Sequence, residues 1–216
     1  MLLSHLRRHN IVTGPLARNT SHSGLSVIFN SVCGFKQFSG GEQFLAFGNA
    51  LHERWLISSF VRTVTAAEEK LLKGMIESLK KHVIACALIK DSEREQKIYD
   101  KLNGVEVAMI LDIKQVRKKT GADLKTTACT TYKEFLDSAI KYGYFRQGKT
   151  YKLGARLQHF YFIGISKTPP HPVFILYVND HKEEEQYAEQ ELKFLLYFYK
   201  HYGKTVMPTI RDNHLF

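Results

Sequence analysis

Residues Val105 to Asp112 read Val-Glu-Val-Ala-Met-Ile-Leu-Asp, and the chain returns as Gly121-Ala122-Asp123-Leu124-Lys125-Thr126-Thr127. The first run is apolar and partly β-branched, at a length that suits a strand. Between them, Val116 to Thr120 carries Arg117, Lys118 and Lys119 and reads as an exposed turn. A connection this short joins the two strands antiparallel, which brings Asp112 near Asp123. Lys125 lies two residues beyond Asp123, so both point to one face. The hairpin thus commits the chain to a sheet that carries two acids and an ammonium. Oxygen ligands there suit Mg²⁺ or Mn²⁺, which take few carboxylates plus water and substrate phosphate. Such an ion lowers the pKa of a bound water and offsets charge on a phosphate. Lys125 is placed to orient that water or to stabilise developing negative charge. These groups suit hydrolysis of a phosphodiester.

Helices and further strands surround the hairpin. Spacing predicts a helix over Ala46 to Ser59 and a clearer amphipathic one over Thr65 to Lys81. Thr65 and Glu68 form a capping box at the start of the second. Glu95 to Lys101 is a weaker strand, closed by Asn103-Gly104, a hairpin turn signal. Tyr132 to Tyr142 and Tyr144 to Gly154 read as helices, and Phe160 to Ser166 and Val173 to Val178 as strands. Thr168-Pro169-Pro170-His171-Pro172 separates those strands and cannot be regular structure. The last helix runs from His181 to His201, with Asp180 as a cap, Glu183, Glu184 and Glu185 at its positive end and Gly203 past its end. Residues 1–46 read as loops and short helices, an extension packing on a single domain that spans 1–216. The order implies an α/β domain with a mixed sheet flanked by helices.

Charge narrows the partners. The 216 residues carry a formal charge of +10 without a long basic tail, so basic side chains lie across the folded surface and attract a polyanion. The three cysteines, Cys33, Cys86 and Cys129, are widely spaced and form no CxxC, which fits a reducing compartment and no structural zinc. The N-terminus is not a convincing signal peptide, and no apolar run approaches the ~20 residues of a membrane span. A cytoplasmic protein is expected.

Four more segments sharpen the hairpin. Asp112 followed by Asp123-Leu124-Lys125 resembles the motif of the PD-(D/E)xK nuclease superfamily, and Asp-Leu-Lys-Thr-Thr is close to its RecE-like and RecB-like branches. Upstream, Gly48-Asn49-Ala50-Leu51-His52 is similar to the Gly-x-x-x-His helix of those branches. Downstream, Gln147-Gly148-Lys149-Thr150-Tyr151 is similar to their Gln-x-x-x-Tyr helix. Tyr142-Gly143-Tyr144 and Phe162 to Pro170 also resemble the RecE type. The resemblance covers roughly Phe47 to Tyr202. It implies a restriction-endonuclease-like core and a Mg²⁺- or Mn²⁺-dependent exodeoxyribonuclease. It implies metal contacts from His52, Asp112, Asp123 and Leu124, with Lys125, Gln147 and Tyr151 as further catalytic residues. Many members have an additional acid before the hairpin: Glu95 is the choice, Glu93 the competitor, and Glu106 lies on the strand itself. The family's Pro-Asp is Leu111-Asp112 here. The iron–sulfur members use four cysteines, so no cluster is expected.

Residues one helical turn apart share a face, so Gly48 lies with His52 and Gln147 with Tyr151. Gly48 would let its helix approach the sheet closely. Arg117, Lys118, Lys119, Arg146 and Lys149 are candidates for DNA phosphates, and Tyr142, Tyr144 and Phe145 for stacking on bases. Nothing resembles a sequence-reading helix. DNA is the expected partner, and relatives add a single-strand annealing protein and homo-oligomers. A structure-specific endonuclease, a silent DNA-binding module and a basic interaction protein are the alternatives.

Overall fold

Alternation along the Val105 run sends Val105, Val107, Met109 and Leu111 to one side of a sheet, where all four are buried. The computed structural model describes residues 42–58 and 62–202. Its elements are α1 (Glu42–His52), a π-helical segment (Glu53–Ile57), α2 (Ala66–Lys81), α3 (Val83–Ile89), β1 (Glu93–Leu102), β2 (Val105–Gln115) and β3 (Thr120–Thr127). There follow α4 (Tyr132–Lys141), α5 (Tyr144–Gly154), β4 (His159–Ser166), β5 (Val173–Tyr177), a 3₁₀ turn (Val178–Asp180) and α6 (Lys182–Tyr202).

The strands lie in sequence order, β1-β2-β3-β4-β5. Only β3 and β4 are parallel. A parallel pair needs a crossover, and α4 and α5 supply it. One face of the sheet packs Phe135 of α4, Phe145 and Tyr151 of α5 and Leu192 and Leu195 of α6 against β2 and β4. The other face packs Leu51, Leu56, Leu72, Met75 and Leu88 against Ile113, Leu124, Ile163 and Ile165. The expected mixed sheet flanked by helices is what forms.

Boundaries differ in instructive places. The helix expected over 46–59 is an α-helix that starts earlier, at Glu42, and changes pitch after His52. Helix α3 was not expected, because Val-Ile-Ala-Cys-Ala-Leu-Ile is apolar on every side and shows no stripe. His82 starts it by accepting the Ala85 N–H at 3.3 Å. Strand β1 begins two residues before the expected Glu95. The capping box forms as read: Thr65 Oγ1 accepts from Glu68 N at 3.2 Å and Glu68 Oε2 from Thr65 N at 2.8 Å. Asp180 closes the 3₁₀ turn rather than capping α6. The extension expected over 1–46 lies outside the described residues up to position 41, as does Gly203.

Candidate active site

The site forms where β2 loses its partners. Strand β2 pairs with β3 only through Ile113↔Ala122, Lys114↔Gly121 and Gln115↔Thr120. Its ladder with β1 runs on both sides of Asp112 but omits the Glu95 and Asp112 rung. Leu111 packs in one core and Ile113 in the other, so alternation breaks at Asp112. A side-chain bond replaces the ladder there: Leu124 N donates to Asp112 Oδ2 at 2.7 Å. Opposite, Glu95 takes a left-handed φ of 51° inside a strand. That conformation costs a non-glycine residue on the order of 1–3 kcal/mol and occurs where the surroundings impose it.

His52 arrives from the other side. It ends α1, where the helix becomes π-helical, a distortion frequent at functional sites. Its Nε2 lies 3.0 Å from the Leu124 carbonyl and donates to it. That bond fixes the ring and turns Nδ1 toward Glu95 Oε1, at 3.4 Å, and Asp112 Oδ2, at 3.7 Å. The ligand atoms of His52, Glu95 and Asp112 all lie within 4.8 Å of one another. An imidazole nitrogen and two carboxylates are donors a divalent ion of the Mg²⁺ or Mn²⁺ type accepts, with room for water and phosphate oxygen. The donor set therefore fits the expected metal. Among the upstream acids, it is Glu95 that joins the cluster.

Asp123 stands outside that three-residue cluster, toward α5. Its Oδ1 accepts from Gln147 Nε2 at 2.9 Å, and its Oδ2 lies 2.7 Å from Lys125 Nζ. Gln147 also donates to the Tyr151 hydroxyl at 3.1 Å. Strand alternation is the reason. Leu124 faces the α1 side with the metal-type cluster, so Asp123 and Lys125 face α5. Leu124 likewise offers its carbonyl to His52 and its N–H to Asp112. The ammonium of Lys125 sits over the rings of Tyr144 and Phe162, 5.3 and 5.9 Å from their centroids. These two rings were not foreseen as walls around Lys125; only the fold places Phe162 beside it.

Burial and charge set the protonation states. Burial, reinforced by the Asp123 charge, pushes Asp112 up to about 7. Burial opposes the charge on His52, but the Asp112 charge and the Glu95 hydrogen bond outweigh it and raise the ring to about 9. Burial also opposes the charge of Lys125, and the adjacent Asp123 carboxylate overcomes it, leaving the amine above its ordinary value. Burial raises the Tyr144 hydroxyl to about 12.

These shifts predict a pH dependence. A carboxyl with a raised pKa binds more protons folded than unfolded, so its contribution to stability falls as pH rises from about 4 to 7. His52 stabilises the fold fully below its ordinary 6.5 and loses that contribution as pH rises through about 9. Both slopes have one sign. The metal-free protein is expected to lose thermal stability between pH 5 and 9, and Asp112→Asn to flatten the acid part of that curve. Thermal midpoints measured across this range check it.

The expected DNA contacts divide. Arg117, Lys118 and Lys119 are exposed in the turn after β2. They follow the three paired rungs, which end at Gln115, about 10 Å along the strand from Asp112. Arg146 is a correction: it is completely buried, and Nη1 donates to Glu191 Oε2 at 2.9 Å. Lys149 is half-buried and pairs with Glu189 at 2.7 Å, so its charge faces α6 rather than solvent. Of the acids read as complements of the α6 dipole, Glu185 pairs with Lys152 of α5 at 2.6 Å. Phe145 is buried in the core, and Tyr144 stacks on Phe162 at 5.0 Å, which removes both as free platforms for bases. Gly48 is not pressed against the sheet, since a Cβ there would meet Thr126 Oγ1 at an ordinary 3.8 Å.

The profile of a family described as a PDDEXK-like domain of unknown function (DUF3799) matches residues 31–204. In structure, the chain is similar to a candidate exonuclease of Eubacterium rectale, with a TM-score of 0.65 and 15% identity over 93% of this chain and 85% of that one. A phage-related exonuclease of Haemophilus somnus 129PT overlaps 91% of this chain and 92% of its own at 10% identity, but with a TM-score of 0.40. That second likeness is too low to support the fold. No curated protein matches the chain in sequence.

Proposed function

The chain belongs to the family of PDDEXK-like domains, and from that premise we propose that it is a metal-dependent DNA nuclease that hydrolyses phosphodiester bonds from DNA ends. The observation that carries this reading is the convergence of His52, Glu95 and Asp112 beside the Asp123–Lys125 pair. His52, Glu95 and Asp112 would hold Mg²⁺ or Mn²⁺. When bound, that ion supplies an acidified water and neutralises charge on the phosphate.

In the hydrolysis a water oxygen gives up a proton and forms a bond to phosphorus, and the bond to the leaving oxygen breaks. One product end carries a phosphate monoester and the other a hydroxyl, which takes up a proton. The Asp123 carboxylate favours the charged form of Lys125, which would act as a charged donor to the reacting oxygens. Asp123 keeps that ammonium in place, and Gln147 keeps Asp123 in place. Tyr151 accepts from Gln147 and closes the far side. Arg117, Lys118 and Lys119 supply an exposed cationic edge for the DNA backbone.

Among the described residues no helix is long and apolar enough to cross a membrane. A cytoplasmic setting and a single-strand annealing partner complete the proposal, resting on the RecE-type motifs. Linear duplex labelled at either end, incubated with Mg²⁺ or Mn²⁺, is expected to shorten progressively from its termini. Circular single-stranded DNA is expected to survive. Cleavage of the circle would instead assign a structure-specific endonuclease, and intact linear DNA would remove the enzymatic reading.

A further inference from the structure

The helical layer formed by α1, α2 and α3 ends at the metal-type cluster. Ile113 is the one β2 residue in the core beneath that layer, and no β1 residue belongs to it. Beyond Glu95 and Asp112 the β1–β2 hairpin continues with its other side packed on the opposite core through Ile98, Val107 and Met109. Among the described residues no core cluster covers its near side. Alternation on either side of Ile98, which packs on the opposite core, places Lys97 and Tyr99 on that side. Across the ladder stand Ile110, opposite Lys97, and Ala108, opposite Tyr99.

Two exposures make this face unusual. Tyr99 is 73% exposed and Ile110 48% exposed, at neighbouring positions of one sheet face. Lys97 is exposed between them, and its cross-strand partner is uncharged. By contrast Lys101 faces Glu106, and Lys114 faces Glu93. Among the described residues neither Lys97 nor Tyr99 makes a side-chain hydrogen bond, ion pair or ring contact. A rigid backbone therefore presents an aromatic ring, an aliphatic neighbour and an unneutralised ammonium in a row that leads to the cluster. Lys97 lies about 7 Å and Tyr99 about 13 Å along the strand from Glu95.

We propose that this hairpin face is a track for single-stranded nucleic acid, on which a base stacks on Tyr99 against Ile110 and Lys97 takes the phosphate nearest the cluster. Every base offers a π-face, so the track would be indifferent to sequence. It lies on the side of the cluster away from the Arg117–Lys119 turn, about three rungs beyond which the turn begins. The proposal rests on the nuclease reading for the direction of the strand, but its test does not require turnover.

The test is binding of a fluorescent oligothymidylate to the full chain in EDTA, read by anisotropy. Tyr99→Ala is expected to weaken binding about 5- to 100-fold, and Tyr99→Phe to retain it, because the ring and not the hydroxyl stacks. Lys97→Gln is expected to lower the slope of log affinity against log salt by about 0.7. Unchanged thermal midpoints establish that the variants fold. Equal binding by the wild type and Tyr99→Ala would overturn the proposal, as would absence of any binding by the wild type. A change in sedimenting mass for Tyr99→Ala with unchanged oligonucleotide affinity would also overturn it, and would assign the face to contact between copies. If the wild type cleaves duplex ends but Tyr99→Ala binds normally, the track is wrong and the nuclease reading stands. If Tyr99→Ala loses binding while the wild type cleaves nothing, the reverse holds.

Discussion

Replacing Lys125 by methionine is expected to lower the rate of DNA cleavage about 10²- to 10³-fold, the usual loss on removing one preorganised donor to developing charge. Methionine keeps the aliphatic stem between Tyr144 and Phe162, so packing survives and the ammonium alone is removed. The loss should fall on kcat, with KM little changed, because the interaction is made with charge that develops during reaction. Lys125→Arg is not expected to restore the rate. Its planar fork differs in size and geometry from a point charge held 2.7 Å from Asp123 Oδ2. Single-turnover cleavage of end-labelled duplex at saturating protein checks this directly. A rate for Lys125→Met within a few-fold of the wild type would remove Lys125 from the chemistry.

The second large effect concerns stability and lies away from the cluster. Glu191→Ala is expected to destabilise the protein by about 3–5 kcal/mol, because it breaks an ion pair whose two members are both buried. Arg146 is completely buried and Glu191 nearly so, with 2.9 Å between them. This pair ties α5 to α6, and α5 carries Gln147 and Tyr151. For a domain of this size the change corresponds to a fall in thermal midpoint of roughly 6–20 °C. A double replacement, Arg146→Met with Glu191→Leu, is expected to recover most of the loss, since apolar groups then take the place of both charges. The start of α5 is built around the same side chain: Gly143 has a φ of 69°, and a Cβ there would lie 2.7 Å from Arg146 Nη2. Calorimetric unfolding of the three proteins decides the matter, and a midpoint for Glu191→Ala equal to the wild type would contradict it.

Much of this was legible in the residues. The apolar Val105 run, the Asn103-Gly104 turn and the Thr65–Glu68 box each act over a few residues, and each formed as read. Spacing also brought Gln147 and Tyr151 onto one helical face, where a hydrogen bond joins them. What escaped depends on distortion or on partners remote in sequence. Nothing local announces that β2 parts from β3 at Asp112, or that Glu95 turns left-handed to meet it. The short turn brought Asp112 near Asp123, and their charges do interact, but it could not reveal that Asp112 also stands beside His52 and Glu95. Arg146 and Lys149 looked like surface cations because their acids lie on α6, some 40 residues later. Their neutralisation is a tertiary event, and charge counting along one helix cannot register it.

His52, Glu95 and Asp112 together are expected to hold a divalent ion. Titration of Mn²⁺ into the protein, followed by the loss of its free-ion electron paramagnetic resonance signal, tests it most directly. The wild type is expected to take up Mn²⁺, more tightly as pH rises and the ligands give up their protons, and Asp112→Asn to lose that uptake while keeping its fold. Equal Mn²⁺ binding by the two proteins, or none by the folded wild type, would contradict the account.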